Sequence, residues 1–238
     1  MPRLDPLPWN PTFFERSALF EPLLPFARRF SADEAFPGIA RWNELLPESL
    51  PARFHEPPPQ PRGQRRQRAP RQHYSSRIHL EGLVPSRPGS WHDFFNALVW
   101  AAFPASKRAL YARQHAAVSS WAGADATRLP NRRTRELDTL ALLDEGGVIV
   151  LREPHELDDA GRVLVFGHAI YESLLLRDPP ATCRASAVPV VIDRVPSDGA
   201  TLLFAADRAL AALLSDPHTF REPRPEPGMN LRLSTTRG

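Results

Sequence analysis

The chain has 238 residues, 42% of them hydrophobic, so it is long and apolar enough to fold around a core of its own. No run of about 18 apolar residues occurs, and the stretch MPRLDPLPWNPTFFER has prolines and acids where a signal peptide would be apolar. These features predict a cytoplasmic protein without a membrane span. The formal charge of +3 is small for this length and does not by itself identify a nucleic-acid-binding protein.

Several classes of site are disfavoured by what the sequence lacks. Its single cysteine, Cys183, excludes an internal disulfide and a zinc site built on paired cysteines. A lone thiol nucleophile is the open alternative to a structural or incidental cysteine. The motifs HExxH, GxSxG and GxGxxG and the Gly-rich phosphate loop are missing, so nothing supports a zincin, a serine hydrolase of that type, a dinucleotide-dependent enzyme or an NTPase.

The N-terminal part of the chain is rich in proline. Through about residue 56 the prolines alternate with tryptophan, phenylalanine and leucine, which is too apolar for a disordered segment. Because proline restricts its own backbone and that of the preceding residue, we expect short helices and turns packed on the core.

Residues 57–73, PPPQPRGQRRQRAPRQH, contain five arginines and no acid. This composition predicts a basic loop, which is either a solvated insertion or a surface that contacts nucleic acid or another partner. No aromatic side chain is interleaved to stack on bases, which weakens the nucleic-acid alternative. The arginines concerned are Arg62, Arg65, Arg66, Arg68 and Arg71.

More regular elements follow. We predict strands in YSSRIHLEGLV, VIVL and AVPVVID. We also predict five helices: the first begins at the Ser90 cap, the second runs from about 105 toward 120, and the third lies between 131 and 146. The fourth covers RVLVFGHAIYESLLL, and the fifth starts after Asp198. The expected fold is α+β: a mostly helical single domain with a small sheet of a few short strands. We place this domain at residues 1–216 and a proline-rich tail at 217–238.

The helix SWHDFFNALVWAAFP carries the first candidate site residues. His92 and Asn96 are four residues apart and share a helical face, whereas Asp93 turns toward the helix start. His92 is therefore a candidate general base or metal ligand, with Asn96 as its positioning partner. The alternative is that Asp93 and Ser90 cap the helix and His92 bonds a nearby loop.

Two further segments carry polar groups on helical faces. Asp138 and Glu145 share one face of NRRTRELDTLALLDEGG, where their carboxylates could bind a divalent cation or share a proton, and Asp144 precedes Glu145 at the helix end. The alternative is a structural ion-pair network in which Arg132, Arg133 and Arg135 pair with Asp144 and Glu145. In FGHAIYE, His168 and Glu172 are four residues apart on one helical face. His168 is therefore either a metal ligand that the Glu172 carboxylate orients, or one half of a buried pair whose hydrogen bonds are made within the core.

The blocks YSSRIHLEGLVPSRPGSWHDFFNALVWAAFPASKRAL, NRRTRELDTLALLDEGGVIV and FGHAIYE resemble the bacterial family called domain of unknown function 3025. The resemblance extends over most of the chain, and WHDFFNALVW is its most specific part. It implies an intact domain with a common polar set, but no reaction. This set includes Arg87, His92, Asp93, Asn96, Lys107, Arg135, Asp138, Asp144, Glu145 and His168.

Two hypotheses on function remain open. The slightly favoured one is a non-catalytic protein whose His, Asp and Arg residues form a buried structural network. The other is a metal-assisted hydrolase of an ester or phosphoester, with a divalent metal ion as the candidate cofactor. Its catalytic residues would be His92, Asn96, Asp138 and His168, its metal ligands His92, Asp138, Glu145 and His168, and its substrate-binding residues Arg87, Lys107 and Arg135.

Overall fold

The computed structural model describes residues 7–58, 70–122, 134–155, 161–176, 181–220 and 229–233. Its α-helices are α1 (Leu24–Ala27), α2 (Ile39–Asn43), α3 (Tyr74–Glu81), α4 (Trp91–Ala102), α5 (Pro104–Ala122), α6 (Arg135–Gly146), α7 (His168–Leu176) and α8 (Gly199–Ser215). Its strands are β1 (Arg53–His55), β2 (Leu83–Pro85), β3 (Gly147–Arg152), β4 (Arg162–Val165), β5 (Ala181–Val191) and β6 (Met229–Leu233). Within these ranges, no helix has the length and apolarity needed to span a membrane.

The strands form two small sheets. The larger has the order β4-β3-β5-β6, with β3 and β5 parallel and the two outer pairs antiparallel. In its centre Ile149 lies opposite Leu164 on one side and Val188 on the other. The smaller sheet pairs β1 with β2 in parallel. A mostly helical α+β fold with a small sheet is thereby confirmed.

The N-terminal segment packs on the core through aromatic rings, as predicted. Trp9 stacks on Trp91 of α4 with ring centroids 5.0 Å apart, and the indole N–H of Trp91 donates to the Leu7 carbonyl. Phe13 and Phe20 are fully buried, and the ring of Phe20 contacts Tyr171 of α7. The segment itself consists of short 3-10 helices at 13–16, 18–23 and 28–30 together with α1 and α2.

The predicted strand in YSSRIHLEGLV is wrong, because residues 74–81 form helix α3. Two alternating apolar residues are too few to define a period of two. Ser75 and Ser76 are completely buried, and such small side chains allow α3 to lie close to α5. Gly82 ends the helix with φ +68°, the left-handed conformation in which glycine is favoured.

The prediction of one helix over RVLVFGHAIYESLLL is also wrong in its first half. Residues 162–165 form β4, and only His168–Leu176 are helical. A continuous apolar run does not distinguish a buried strand from a buried helix. Gly167 lies at the change of direction, and a Cβ there would be within 2.5 Å of three backbone atoms of residues 145–147.

Replacing Gly167 with alanine is expected to lower the free energy of unfolding by about 1–3 kcal/mol, the usual effect of overpacking. The cause is that the added methyl group meets backbone, which cannot move aside as a side chain can. Chemical denaturation measures the change. Gly199→Ala is the matched control, since nothing lies within 4 Å of its Cβ position. Equal stabilities for the two variants would contradict this account of Gly167.

The division into a domain at 1–216 and a tail at 217–238 stays a prediction. Two observations bear on the tail: Phe220 is buried in the core, and residues 229–233 form β6, which pairs with β5.

Candidate metal centre

Helix α4 brings His92 to the edge of the core. Ser90 caps the helix by accepting the Asp93 backbone N–H, as predicted, and Phe94 and Phe95 are completely buried on the side of the helix that faces the core. His92 is the second residue of the helix and remains partly exposed, with 27% of its side chain accessible. The aromatic anchors therefore fix the position of an imidazole that can still be reached from outside.

Gly167 brings the start of α7 against the end of α6. The backbone N–H groups of Phe166 and Gly167 both donate to the Gly147 carbonyl, which follows α6 directly. His168 is the first residue of α7 and is almost completely buried. The close backbone approach at Gly167 thus places His168 beside Asp144 and Glu145.

Three side chains from these helix ends converge on one point. The Nε2 atoms of His92 and His168 are 3.0 Å apart, and Glu145 Oε2 lies 3.8 Å from the first and 3.5 Å from the second. Among the described residues, this is the group of three potential ligands whose donor atoms all lie within 4.8 Å of one another. Ligands 2.0–2.2 Å from a tetrahedral zinc ion are separated by about 3.3–3.6 Å, which is close to what is seen here.

The protons on the two imidazoles follow from their partners. His168 Nδ1 is 2.8 Å from the Asp144 carbonyl oxygen, which only accepts, so Nδ1 carries the proton and Nε2 has the lone pair. Burial lowers the pKa of His168 to about 3, so this imidazole is neutral. His92 Nδ1 is likewise 2.9 Å from Glu172 Oε2 and donates to it. Two neutral imidazoles in these tautomers direct both Nε2 lone pairs at the same point.

The two Nε2 lone pairs repel each other unless a metal cation or a proton lies between them. A shared metal ion would bind both lone pairs together with Glu145. Without a metal, a second proton on His92 would form the bond to His168. The hydrogen bond that His92 donates to Glu172 raises the pKa of His92, which favours that second proton.

A buried ion pair supports the cluster from behind. Lys107 is fully buried, and its ammonium group donates to Asp144 Oδ1 while surrounded by the rings of Trp100, Tyr111 and Phe166. The Tyr111 hydroxyl donates to Asp144 Oδ2 over 3.0 Å. Burial alone would raise the pKa of Asp144, but the positive charge of Lys107 brings it below its ordinary value. Asp144 is therefore fixed, and with it the carbonyl that orients His168.

The three candidate ligands open into what we call the polar cavity, about 340 Å³ in volume. Besides His92, Glu145 and His168, its lining includes Arg87, Asp93 and Asn96. Asn96 is 6% exposed, and its Oδ1 has no hydrogen-bond partner among the described residues. A buried carbonyl oxygen without a partner is unfavourable unless a bound molecule donates to it.

Arg87 lies at the rim of the polar cavity and is held by Asp93. Its Nε and Nη2 donate to the two carboxylate oxygens of Asp93 over 2.8 and 3.1 Å, and its backbone N–H donates to the same group. Asp93 thus orients Arg87 in addition to lying in the first turn of α4. The side chain of Arg87 is 69% exposed, so its remaining N–H groups can reach a ligand.

The structure separates some of the predicted site residues from this cluster. Asp138 is exposed in the first turn of α6, about 10 Å along the helix from Glu145. Arg135 is exposed at the start of the same helix. Lys107 contacts Asp144 and does not line the polar cavity, so it is not placed to bind a substrate there.

Two pairings differ from the sequence prediction. Glu172 bonds His92 across the interface of α4 and α7, and not His168 of its own helix. Lys107, and not Arg135, pairs with Asp144, while Arg132 and Arg133 lie outside the described residues. The role of Asp144 in orienting His168 has no sequence signal, because it is performed by a backbone carbonyl.

The predicted basic loop lies largely outside the described residues, which include Arg71 but not Arg62, Arg65, Arg66 or Arg68. Arg71 is exposed. A contact of this loop with nucleic acid or another partner stays a prediction.

Comparison with known families bears on the segment that holds two of the ligands. Residues 63–163 match the family described as Protein of unknown function (DUF3025). The match confirms the resemblance for these residues, which include WHDFFNALVW and Glu145. The extension of the resemblance over most of the chain, including FGHAIYE with His168, stays a prediction. No curated protein and no solved structure is significantly similar to the chain.

Proposed function

We propose that this chain, whose residues 63–163 belong to the DUF3025 family, is a zinc-dependent hydrolase of ester or phosphoester bonds. The observation that carries the proposal is the convergence of His92 Nε2, His168 Nε2 and Glu145 Oε2 on one point at the polar cavity. Two histidines and one glutamate are the ligand set of several zinc hydrolases. We further propose a bacterial cytoplasmic setting, which suits the family resemblance and the single cysteine.

The described part of the chain supplies three candidate ligands, a number that supports a catalytic centre over a structural one. Structural zinc sites use four protein ligands, whereas catalytic sites use three and leave a position for water or substrate. Glu145 is half exposed and His92 is partly exposed, so water or a substrate could reach the three donor atoms from the polar cavity. A zinc ion held there would lower the pKa of a coordinated water and polarise the bond to be cleaved.

The surrounding residues have defined parts in this proposal. Glu172 and the Asp144 carbonyl each accept the Nδ1 proton of one histidine, which fixes both Nε2 atoms toward the ligand position. Asn96 Oδ1 offers an acceptor for a water or for a substrate N–H or hydroxyl. Arg87 offers N–H donors at the rim, in an orientation that Asp93 fixes.

A buried structural network is the second candidate, and a specific observation favours it. Glu172, a protonated His92, neutral His168 and the Asp144 carbonyl form a continuous hydrogen-bonded chain without any metal. In that network Glu145 would pair with the charge of the protonated His92, 3.8 Å away, but the unpartnered Asn96 Oδ1 stays unexplained. We therefore prefer the metal centre.

Hydrolysis is tested with the purified full-length protein on p-nitrophenyl carboxylic esters, p-nitrophenyl phosphate and bis(p-nitrophenyl) phosphate. Each substrate is assayed once with added zinc and once after treatment of the protein with a chelator. We expect zinc-dependent release of p-nitrophenol, lost in Glu145→Gln and retained in Asp138→Asn, an exposed carboxylate on the same helix. Iron as the sole bound metal, with no hydrolysis, would contradict the proposal, because two histidines and a carboxylate also bind iron in oxygen-dependent enzymes.

Replacing Glu172 with alanine is expected to weaken zinc binding by about 10–100-fold, the usual effect of removing a group that orients a ligand histidine. Glu172→Gln should recover part of the affinity, since its amide oxygen still accepts the Nδ1 proton of His92. Competition with a zinc-binding dye measures the affinity. A structural network without metal predicts no difference among the three proteins.

A further inference from the structure

The charges around the polar cavity balance one another when a divalent ion is counted. Arg87 is paired with Asp93, and Lys107 with Asp144. The two remaining carboxylates near the ligand position, Glu145 and Glu172, equal the charge of one divalent ion. Around the polar cavity, the described residues therefore leave no excess positive charge for the dianion of a phosphate ester, and a neutral substrate suits this cavity better.

A second cavity adjoins the first. We call it the apolar cavity: it has a volume of about 510 Å³, and its lining is mostly apolar, including Leu142, Leu143, Ile170, Ala187, Val188 and Phe220. Glu145 lines both cavities, so the two cavities meet at this residue. Helix α7 likewise contributes His168 to the polar cavity and Ile170 to the apolar one.

The size and chemistry of the apolar cavity fit part of a small molecule. Ligand cavities commonly have volumes of about 300–1,000 Å³ and are lined largely by apolar groups. Leu142 is 63% exposed although it is a large apolar residue, so the cavity has an apolar mouth on the surface. An apolar group bound there would remove this surface from water.

From these observations we infer that the substrate is a neutral carboxylic ester whose acyl chain occupies the apolar cavity. This inference rests on the proposed hydrolase function and specifies its substrate class. In the reaction, the oxygen of water forms a bond to the acyl carbon and the acyl carbon–oxygen bond of the ester breaks. The alcohol leaves with one proton from the water, and the acid product releases the other at neutral pH.

The first arm of the test compares acyl chain lengths. Zinc-loaded full-length protein is assayed with p-nitrophenyl acetate, butyrate and octanoate and with p-nitrophenyl phosphate. Each buried methylene group contributes about fourfold in binding, so kcat/KM should rise at least about tenfold from acetate to octanoate. Phosphate should be hydrolysed far more slowly than any ester.

The second arm fills the apolar cavity. Ala187→Trp places a large side chain in the lining, while Val191→Trp places the same side chain at the exposed end of the same strand and is the matched control. The octanoate-to-acetate ratio should fall in Ala187→Trp and stay unchanged in Val191→Trp. Zinc content, measured by mass spectrometry, should be the same in both variants.

A binding measurement separates failure of the inference from failure of the hydrolase proposal. The neutral ketone 2-decanone, which lacks a bond to hydrolyse, should bind the wild-type protein by calorimetry and bind Ala187→Trp at least about tenfold more weakly. Preference for p-nitrophenyl phosphate, or a chain-length ratio that Ala187→Trp leaves unchanged, would overturn the inferred substrate and keep the hydrolase. Zinc binding without hydrolysis of any ester or phosphoester would overturn both, even where 2-decanone binds.

Discussion

Replacing Lys107 with methionine is expected to lower the free energy of unfolding by about 3–5 kcal/mol, the effect of breaking a buried ion pair from one side. Lys107 is fully buried, and Asp144 would keep its charge in the interior with the Tyr111 hydroxyl as its remaining hydrogen-bond donor among the described side chains. Methionine has a similar length, so lost packing contributes little to this effect. Urea denaturation monitored by fluorescence measures it.

The double variant Lys107→Met/Asp144→Leu is the control for this prediction. Removing both charges eliminates the unpaired carboxylate, so the double variant should regain at least half of the lost stability. The Asp144 carbonyl that holds His168 is backbone and remains in place. A loss below about 1 kcal/mol in Lys107→Met, the scale of an exposed pair, would contradict the account of this buried pair.

Replacing His92 with alanine is expected to weaken zinc binding by at least ~100-fold, since even the loss of an orienting residue weakens it 10–100-fold. His92 supplies one of the three converging donor atoms. Because its side chain is partly exposed, the stability of the metal-free protein should change by about 1 kcal/mol or less. Dye competition and thermal unfolding measure the two quantities.

His79→Ala is the matched control for His92→Ala. His79 is an exposed histidine on α3 that stacks on His115, away from the converging donor atoms. Zinc affinity should be unchanged in this variant. Equal affinities in His92→Ala and the wild type would show that zinc binds elsewhere.

Much of the site was predictable where it depends on local pattern. The Ser90 cap and the helical spacing of Phe94 and Phe95 predict α4 and put His92 at its start, as observed. Glu145 and His168 were also among the candidate ligands. These predictions hold because capping and helical periodicity are properties of neighbouring residues.

Asp138 shows what helical periodicity leaves out. Residues 138 and 145 share a face of α6, but seven residues separate them along the axis by about 10 Å. A shared face gives the direction of a side chain and not its height along the helix. Only Glu145, at the end that meets α7, reaches the two histidines.

Glu172 shows the limit of spacing within one helix. The interval of four residues from His168 predicted a pair on α7, but the Nδ1 atom of His168 is already bound to the Asp144 carbonyl. Glu172 is therefore available to His92 on α4. Contacts between helices depend on packing, here on the close backbone approach at Gly167, which no period in the sequence records.

The zinc content of the wild-type protein tests the central claim most directly. The full-length protein is purified without chelators or an affinity tag that binds metal, equilibrated with a small excess of zinc, desalted, and measured by mass spectrometry beside His92→Ala. One zinc ion per wild-type chain, and much less than one in His92→Ala, is the predicted result. A wild-type protein that retains no zinc, or a variant that retains as much as the wild type, would contradict the metal centre.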